Sequence, residues 1–178
     1  MEPEGRERLA ARIREAALLE GDFVLSSGRR SSLYVDKYLF STDPGLLRDI
    51  AAGLEELLPS DVQRLAGVEL GAVPLVVAVA LQTGMPYVIV RKEAKEHGTA
   101  RGIEGRLGEG ERVALVEDVT TTGTQAVRAA RRLVEAGAEV AGVVAVLDRR
   151  EKREGDLQGF PFRALFRMED LRAAKARN

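Results

Sequence analysis

The chain has 178 residues, 45% of them hydrophobic but only 4% aromatic, no cysteine, and a formal net charge of -1. That length suits one domain with a sizeable aliphatic core. The lack of cysteine excludes disulfides and thiolate metal sites, and the charge offers no overall case for nucleic-acid binding.

In chain order, residues 4–20 read as an amphipathic helix, with Leu9, Ile13, Ala16 and Ala17 on one face and Gly21 as its stop. Two short extended runs follow, Phe23–Leu25 and Leu33–Val35, around a Ser-Gly turn, which is the pattern of a hairpin. Composition alone leaves this a plain sheet edge as readily as a functional flap. Asp43 and Pro44 form an N-cap and first-turn pair. Leu47, Ile50, Ala51, Leu54, Leu57 and Leu58 then set out a core-facing helical stripe that ends at Pro59. Arg64–Ala66 is a short strand. It leads through Gly67-Val68-Glu69-Leu70-Gly71 into an almost wholly apolar helix, Val73–Leu81. A glycine-bounded loop before a helix is a candidate anion site, which spacing alone does not single out.

Pro86–Val90 is the next strand and runs directly into Arg91-Lys92. From Glu93 to Gly110 the chain is polar, rich in glycine (Gly98, Gly102, Gly105, Gly108, Gly110) and without hydrophobic period. Such a segment inside a compact domain is either functional or disordered. His97 is the only histidine. It has no imidazole partner for a metal site and, taken alone, is as readily an incidental surface side chain.

Val113–Val116 is an apolar, β-branched run of buried-strand length that closes in two acids, Glu117 and Asp118. Val119, Thr120, Thr121, Thr122, Gly123, Thr124 and Gln125 follow, then Ala126, Val127, Ala130, Leu133 and Val134 at helical spacing. A strand, a hydroxyl-rich turn and a helix together hold phosphate in α/β proteins. Loop amides and the helix N-terminus face the anion, and glycine lets the backbone come close. Two carboxylates would repel a bare anion, so the ligand should also bring sugar hydroxyls or a metal. A phosphorylated ribose brings both. No Gly-Lys-Ser/Thr loop and no G-x-G-x-x-G motif after a strand is present. Val140–Leu147 is a further buried strand ending in Asp148-Arg149-Arg150-Glu151. Lys152–Gly159 is a polar connection, Phe162–Phe166 an edge strand and Glu169–Lys175 a closing helix.

The run Glu117-Asp118-x-x-Thr121-Thr122-Gly123 on its strand closely resembles the phosphoribosyl-diphosphate (PRPP) signature of the type I phosphoribosyltransferases. Phe23-x-Leu25-x-Ser27-Gly28-Arg29-x-Ser31-x-x-Tyr34 resembles the hood of the orotate phosphoribosyltransferases within that family. Ala72–Leu75 resembles the helix start after their diphosphate loop. Arg91-Lys92-x-x-Lys95-x-His97-Gly98 resembles their flexible catalytic loop, and Asp148-Arg149-x-Glu151 the segment that grips the orotate carboxylate. The resemblance spans nearly the whole chain. Ser26 and Leu70 stand where the family often has basic residues, and the hood's aromatic pair is reduced to Leu33-Tyr34.

The resemblance implies an α/β, type I phosphoribosyltransferase fold, with a central mostly parallel sheet flanked by helices and a small N-terminal hood. It implies one domain over 1–178, a hood from about 1–40 plus the C-terminal segment, and a flexible catalytic loop at 92–110. It further implies an orotate phosphoribosyltransferase that joins orotate to PRPP, with Mg²⁺ arriving mainly on PRPP. Catalysis would rest on Lys95, Arg91, His97 and Asp118. PRPP would be held by Arg91, Lys92, Lys95, His97, Glu117, Asp118, Val119, Thr120, Thr121, Thr122, Gly123, Thr124 and Gln125, and orotate by Thr121 and Arg149. The expected assembly is a homodimer that shares the loop between subunits. With no signal-peptide pattern and no membrane span, the expected place is the cytoplasm, without membrane or nucleic-acid partners. Two other readings stay open: a type I enzyme for a purine or uracil, and a PRPP-sensing regulator on the same fold.

Overall fold

The apolar run around Val113 becomes the middle of a seven-stranded sheet because its side chains alternate between two cores. Val113 and Leu115 enter one hydrophobic cluster, Ala114 and Val116 the other, and all four are wholly buried. A strand covered on both faces has no solvent side, which is why its sequence carries no polar alternation.

The computed structural model describes residues 1–24, 28, 30–92, 102–151 and 155–174. The elements run α1 (Pro3–Ala17), β1 (Leu18–Val24), β2 (Arg30–Val35), α2 (Lys37–Ser41), α3 (Pro44–Leu57), β3 (Arg64–Val68), α4 (Val73–Thr83) and β4 (Tyr87–Val90). They continue with β5 (Ile103–Glu104), β6 (Arg112–Thr120), α5 (Thr124–Glu135), β7 (Glu139–Asp148), β8 (Asp156–Leu157), β9 (Phe160–Arg167) and α6 (Met168–Ala173). The sheet order is β5-β4-β3-β6-β7-β9-β8. The five inner strands are parallel, and the two short outer ones are antiparallel to their neighbours. One face is covered by α1, α3, α4 and α6, through residues such as Ile13, Ile50, Leu75 and Leu171. The other is covered by α5, through Ala126, Val127, Ala130 and Leu133, with Ile103 and Leu107 beside it. The mostly parallel sheet flanked by helices, with a separate β1–β2 hairpin, is the architecture the sequence led us to expect.

Several boundaries differ from the sequence reading. The first helix stops at Ala17 rather than near Gly21. Leu18 turns extended because Leu18–Val24 pairs with Arg30–Val35, with Leu18 opposite Val35 and an irregularity between Glu20 and Phe23. The strand carrying the acid pair does not close at Val116. Glu117, Val119 and Thr120 go on pairing with Ala145, Leu147 and Asp148 of β7, so the turn shrinks to Thr121–Gly123. Phe160–Arg167 is not a bare edge, since Asp156–Leu157 folds back along it. The described part of the expected 92–110 loop, residues 102–110, is built into the body. Ile103 pairs with Val90, and the Gly110 amide donates to the Gly137 carbonyl at 2.7 Å. Among the described residues no helix is long and apolar enough to cross a membrane.

The helix that covers one core face starts as its residues prescribe. The Asp43 carboxylate accepts the Leu46 amide at 2.7 Å, and Pro44 occupies the first turn, where its missing N–H is not needed. Replacing Asp43 with Ala should cost about 1 kcal/mol of stability, read as a lower urea midpoint with an unchanged slope.

Candidate active site

The C-terminal ends of parallel strands are where open α/β sheets bind ligands, and here β3, β6 and β7 end side by side. Glu117 and Asp118 sit on the last turn of β6 and are 8% and 2% exposed. The Asp118 amide donates to Glu117 Oε1 at 3.1 Å, and the Val119 amide donates to Asp118 Oδ1. Asp118 Oδ2 lies 2.6 Å from the ammonium of Lys37, the first residue of α2. Burial works against the charge on Lys37, but the hydrogen bond and charge of Asp118 outweigh it and raise its pKa. Burial, then the neighbouring Asp118 charge, pushes Glu117 up to about 8, more than Lys37 can offset. Two adjacent buried carboxylates thus divide the work: one is ion-paired and the other retains its proton near neutrality.

Just beyond, Gly123 takes φ 78 at the N-terminus of α5, a left-handed conformation that favours glycine. A Cβ there would also lie 2.6 Å from Leu157 Cδ2. Gly123 brings no side-chain cap to α5, and the Thr122 hydroxyl accepts the Thr124 amide at 3.3 Å, which leaves the amides that follow it in the first turn without a side-chain acceptor among the described residues. The Thr122 and Thr124 hydroxyls are 3.0 Å apart, and the buried Thr120 hydroxyl has no hydrogen-bond partner among the described residues. Amides, hydroxyls and a helix dipole converge on one concave surface suited to a phosphate. A single cleft is lined by Lys37, Glu69 and Lys92 together with the whole run from Glu117 to Ala126. The sequence-predicted PRPP residues Lys92, Glu117, Asp118, Val119, Thr120, Thr121, Thr122, Gly123, Thr124 and Gln125 therefore come together.

The loop after β3 forms the facing wall. A Cβ on Gly71 would lie 1.7 Å from Asp118 Oδ2 and 2.9 Å from Lys37 Nζ, so only glycine lets this backbone approach the ion pair. Glu69 accepts the Lys92 amide at 2.9 Å. Arg91 is not in the cleft lining. Its guanidinium is 3.9 Å from Glu69 and 3.5 Å from Glu104, and its carbonyl accepts a hydrogen bond from Arg132. Lys95 and His97 lie outside the described residues.

Two adjacent arginines at the end of β7 have opposite fates. Arg150 grips Asp148 with two bonds, 2.9 and 3.0 Å, and lies 4.2 Å over the Phe162 ring. It is spent on structure. Arg149 donates its amide to the Thr120 carbonyl at 2.8 Å, while its half-buried guanidinium has no ion-pair or hydrogen-bond partner among the described residues. Burial lowers its pKa, and Tyr34 of β2 stands within electrostatic reach. Tyr34 is stacked on Phe23, ring centres 5.4 Å apart. A cation left open beside an aromatic hairpin suits a planar carboxylate ligand.

Sequence reasoning missed Lys37. The one signal was a lysine directly after the hairpin, and nothing in its spacing tied it to Asp118. Among the described residues no three acidic or imidazole side chains gather to hold a metal. With Asp118 occupied by Lys37 and Glu117 protonated, the acid pair fits a cation that carries its own oxygen ligands better than a protein cage.

A phosphoribosyl transferase domain model matches residues 45–160. The orotate phosphoribosyltransferase of Thermococcus gammatolerans is 45% identical over 174 residues, covering 94% of this chain and 92% of the relative. The crystal structure of orotate phosphoribosyltransferase from Aeropyrum pernix superposes with a TM-score of 0.81 at 33% identity, over 92% of this chain and 95% of that one. The Mycobacterium tuberculosis H37Rv orotate phosphoribosyltransferase in complex with PRPP superposes with a TM-score of 0.77 at 31% identity, over 94% and 98%.

The raised pKa of Glu117 has a defined sign in stability. The native state keeps a proton that the unfolded chain loses near 4.5, so the contribution is complete below 4.5 and is lost as pH rises through about 8. Glu117→Gln should therefore flatten the decline in melting temperature between those two pH values, measured by thermal unfolding across the range.

Proposed function

We infer that this chain, which belongs to the phosphoribosyl transferase family and to the orotate phosphoribosyltransferases within it, transfers the phosphoribosyl group of PRPP to orotate. The products are orotidine 5′-phosphate and diphosphate, one step before UMP is reached by decarboxylation. The observation that carries this reading is the pairing of a phosphate cradle, Thr120 to Gln125, with Arg149, whose guanidinium has no partner among the described residues and whose backbone amide donates to the Thr120 carbonyl of that cradle.

In the transfer, the bond from the ribose anomeric carbon to diphosphate breaks, and its electron pair leaves with diphosphate. A ring nitrogen of orotate that has given up its proton supplies the pair for the new bond. Positive charge grows on the ribose and negative charge on the leaving group, so stabilising both is the main task. The cradle fixes the 5′-phosphate, and the anomeric carbon is placed by that anchor. The acid pair accepts from the ribose hydroxyls, and the ionised Asp118 favours the cationic ring. Arg149 fixes the orotate carboxylate, with Thr121 at the base. Arg91, Lys92, Lys95 and His97 meet the departing diphosphate. Mg²⁺ arriving on PRPP would supply Lewis-acid neutralisation of the diphosphate, and Glu117 and Asp118 are the residues that would face it.

The functional unit in this reading is a homodimer working in the cytoplasm, with the loop that carries Lys95 serving the neighbouring site. What supports it is α4, apolar almost throughout and with Leu81 82% exposed, beside a diphosphate loop whose Leu70 is 64% exposed. Helices that are apolar all round are normally covered.

The test is the loss of orotate absorbance with PRPP and Mg²⁺. Turnover should need both and should fall on the order of 100-fold in Lys95→Ala, the cost of removing one donor to a developing anion. Arg149→Ala should raise the orotate KM by roughly tenfold or more and leave the PRPP KM near its original value. Turnover of uracil or a purine in place of orotate would move the assignment to another base, and PRPP binding without turnover of any base would favour a regulator.

A further inference from the structure

The ion pair between Lys37 and Asp118 lies against the backbone of Gly71, the residue that brings the diphosphate loop down to the acid pair. The lysine side chain is 33% exposed and the aspartate side chain 3%, so the carboxylate is sealed while the ammonium opens into the cleft. An ammonium has three N–H donors. One is taken by Asp118 at 2.6 Å, and among the described residues the other two have no hydrogen-bond acceptor. The ring of Tyr38, 5.7 Å away, uses none of them.

The charges around the cleft give this ammonium a second significance. Its described lining carries two cations, Lys37 and Lys92, against the carboxylates of Glu69 and Asp118, with the protonated Glu117 between them. Without Lys37 that wall would set Lys92 alone against two carboxylates facing a polyanionic ligand. The buried Asp118 would then meet a phosphate group with no compensating charge.

We propose that Lys37 is a substrate-binding residue of the PRPP site. Held in place by Asp118, it directs its two remaining N–H donors to the diphosphate of PRPP beside Gly71. The proposal rests on the PRPP reading above but not on the identity of the base. It assigns the cation to α2, directly after the β1–β2 hairpin.

Calorimetric titration with Mg²⁺ and no base present tests this on the full chain, using PRPP and, in parallel, ribose 5-phosphate, which lacks the diphosphate. Lys37→Met should weaken PRPP binding by about tenfold or more while changing ribose 5-phosphate affinity less than about twofold, and Lys37→Arg should restore most of the loss. PRPP affinity unchanged in Lys37→Met would overturn the proposal. So would an equal loss for both ligands with a lowered melting temperature, which would mark Lys37 as a structural tether of α2. A wild-type protein that binds PRPP but leaves orotate untouched refutes the base assignment alone, because the Lys37 comparison is read without any base. A wild-type protein that does not bind PRPP refutes both.

Discussion

Two neighbouring carboxylates buried at the end of a central strand are the constraint around which the rest of this molecule is arranged. Left to themselves they could not both ionise, since burial and mutual repulsion act in the same direction. The fold resolves the conflict asymmetrically. Asp118 receives a lysine from α2, and Glu117 is left to hold a proton near neutrality. A glycine is then required at position 71, because any side chain on the facing loop would collide with the ion pair. Substrate charge, sheet geometry and loop composition are linked through that one close approach.

Position in the sheet supplies the second half of the arrangement. Because β3, β6 and β7 are adjacent and parallel, three successive strand-to-loop transitions open on the same edge. The loop after β3 and the turn after β6 line one cleft, and Arg149 stands after β7. Each is an ordinary strand exit. In the proposed reaction they would take the diphosphate, the 5′-phosphate and the base. The Arg149 amide bonded to the Thr120 carbonyl joins the base side to the phosphate side through the main chain.

The contrast between Arg149 and Arg150 illustrates how identical side chains acquire different functions. Both follow the last residue of β7, Asp148, and the contacts each makes there decide its role. Arg150 meets Asp148 and the Phe162 ring and becomes part of the packing. Arg149 finds no acid among the described residues, and a half-buried cation so placed has its charge satisfied when a ligand brings one. Removing Arg150 would disturb the body, whereas Arg149 is held ready by the body it does not support.

Much of this was legible in the chain. The apolar run from Val113, the acids, the threonines and Gly123 locate a phosphate-binding strand, turn and helix, because each depends on local chemistry and spacing. Asp43 and Pro44 mark their helix start for the same reason, and the order of the motifs pointed to the family. Other features came only with tertiary structure. Leu18–Glu20 reads as helix until its pairing with Leu33–Val35 is known, and β6 runs on to Thr120 because β7 offers it partners. Nothing local distinguishes Arg149 from Arg150, and nothing in the sequence joins Lys37 to Asp118. Those are long-range contacts, decided by which strands lie side by side and which element crosses their ends. Periodicity, capping and turn chemistry act over a few residues and so determine the elements; the partners of the charges are determined by the packing of those elements against one another.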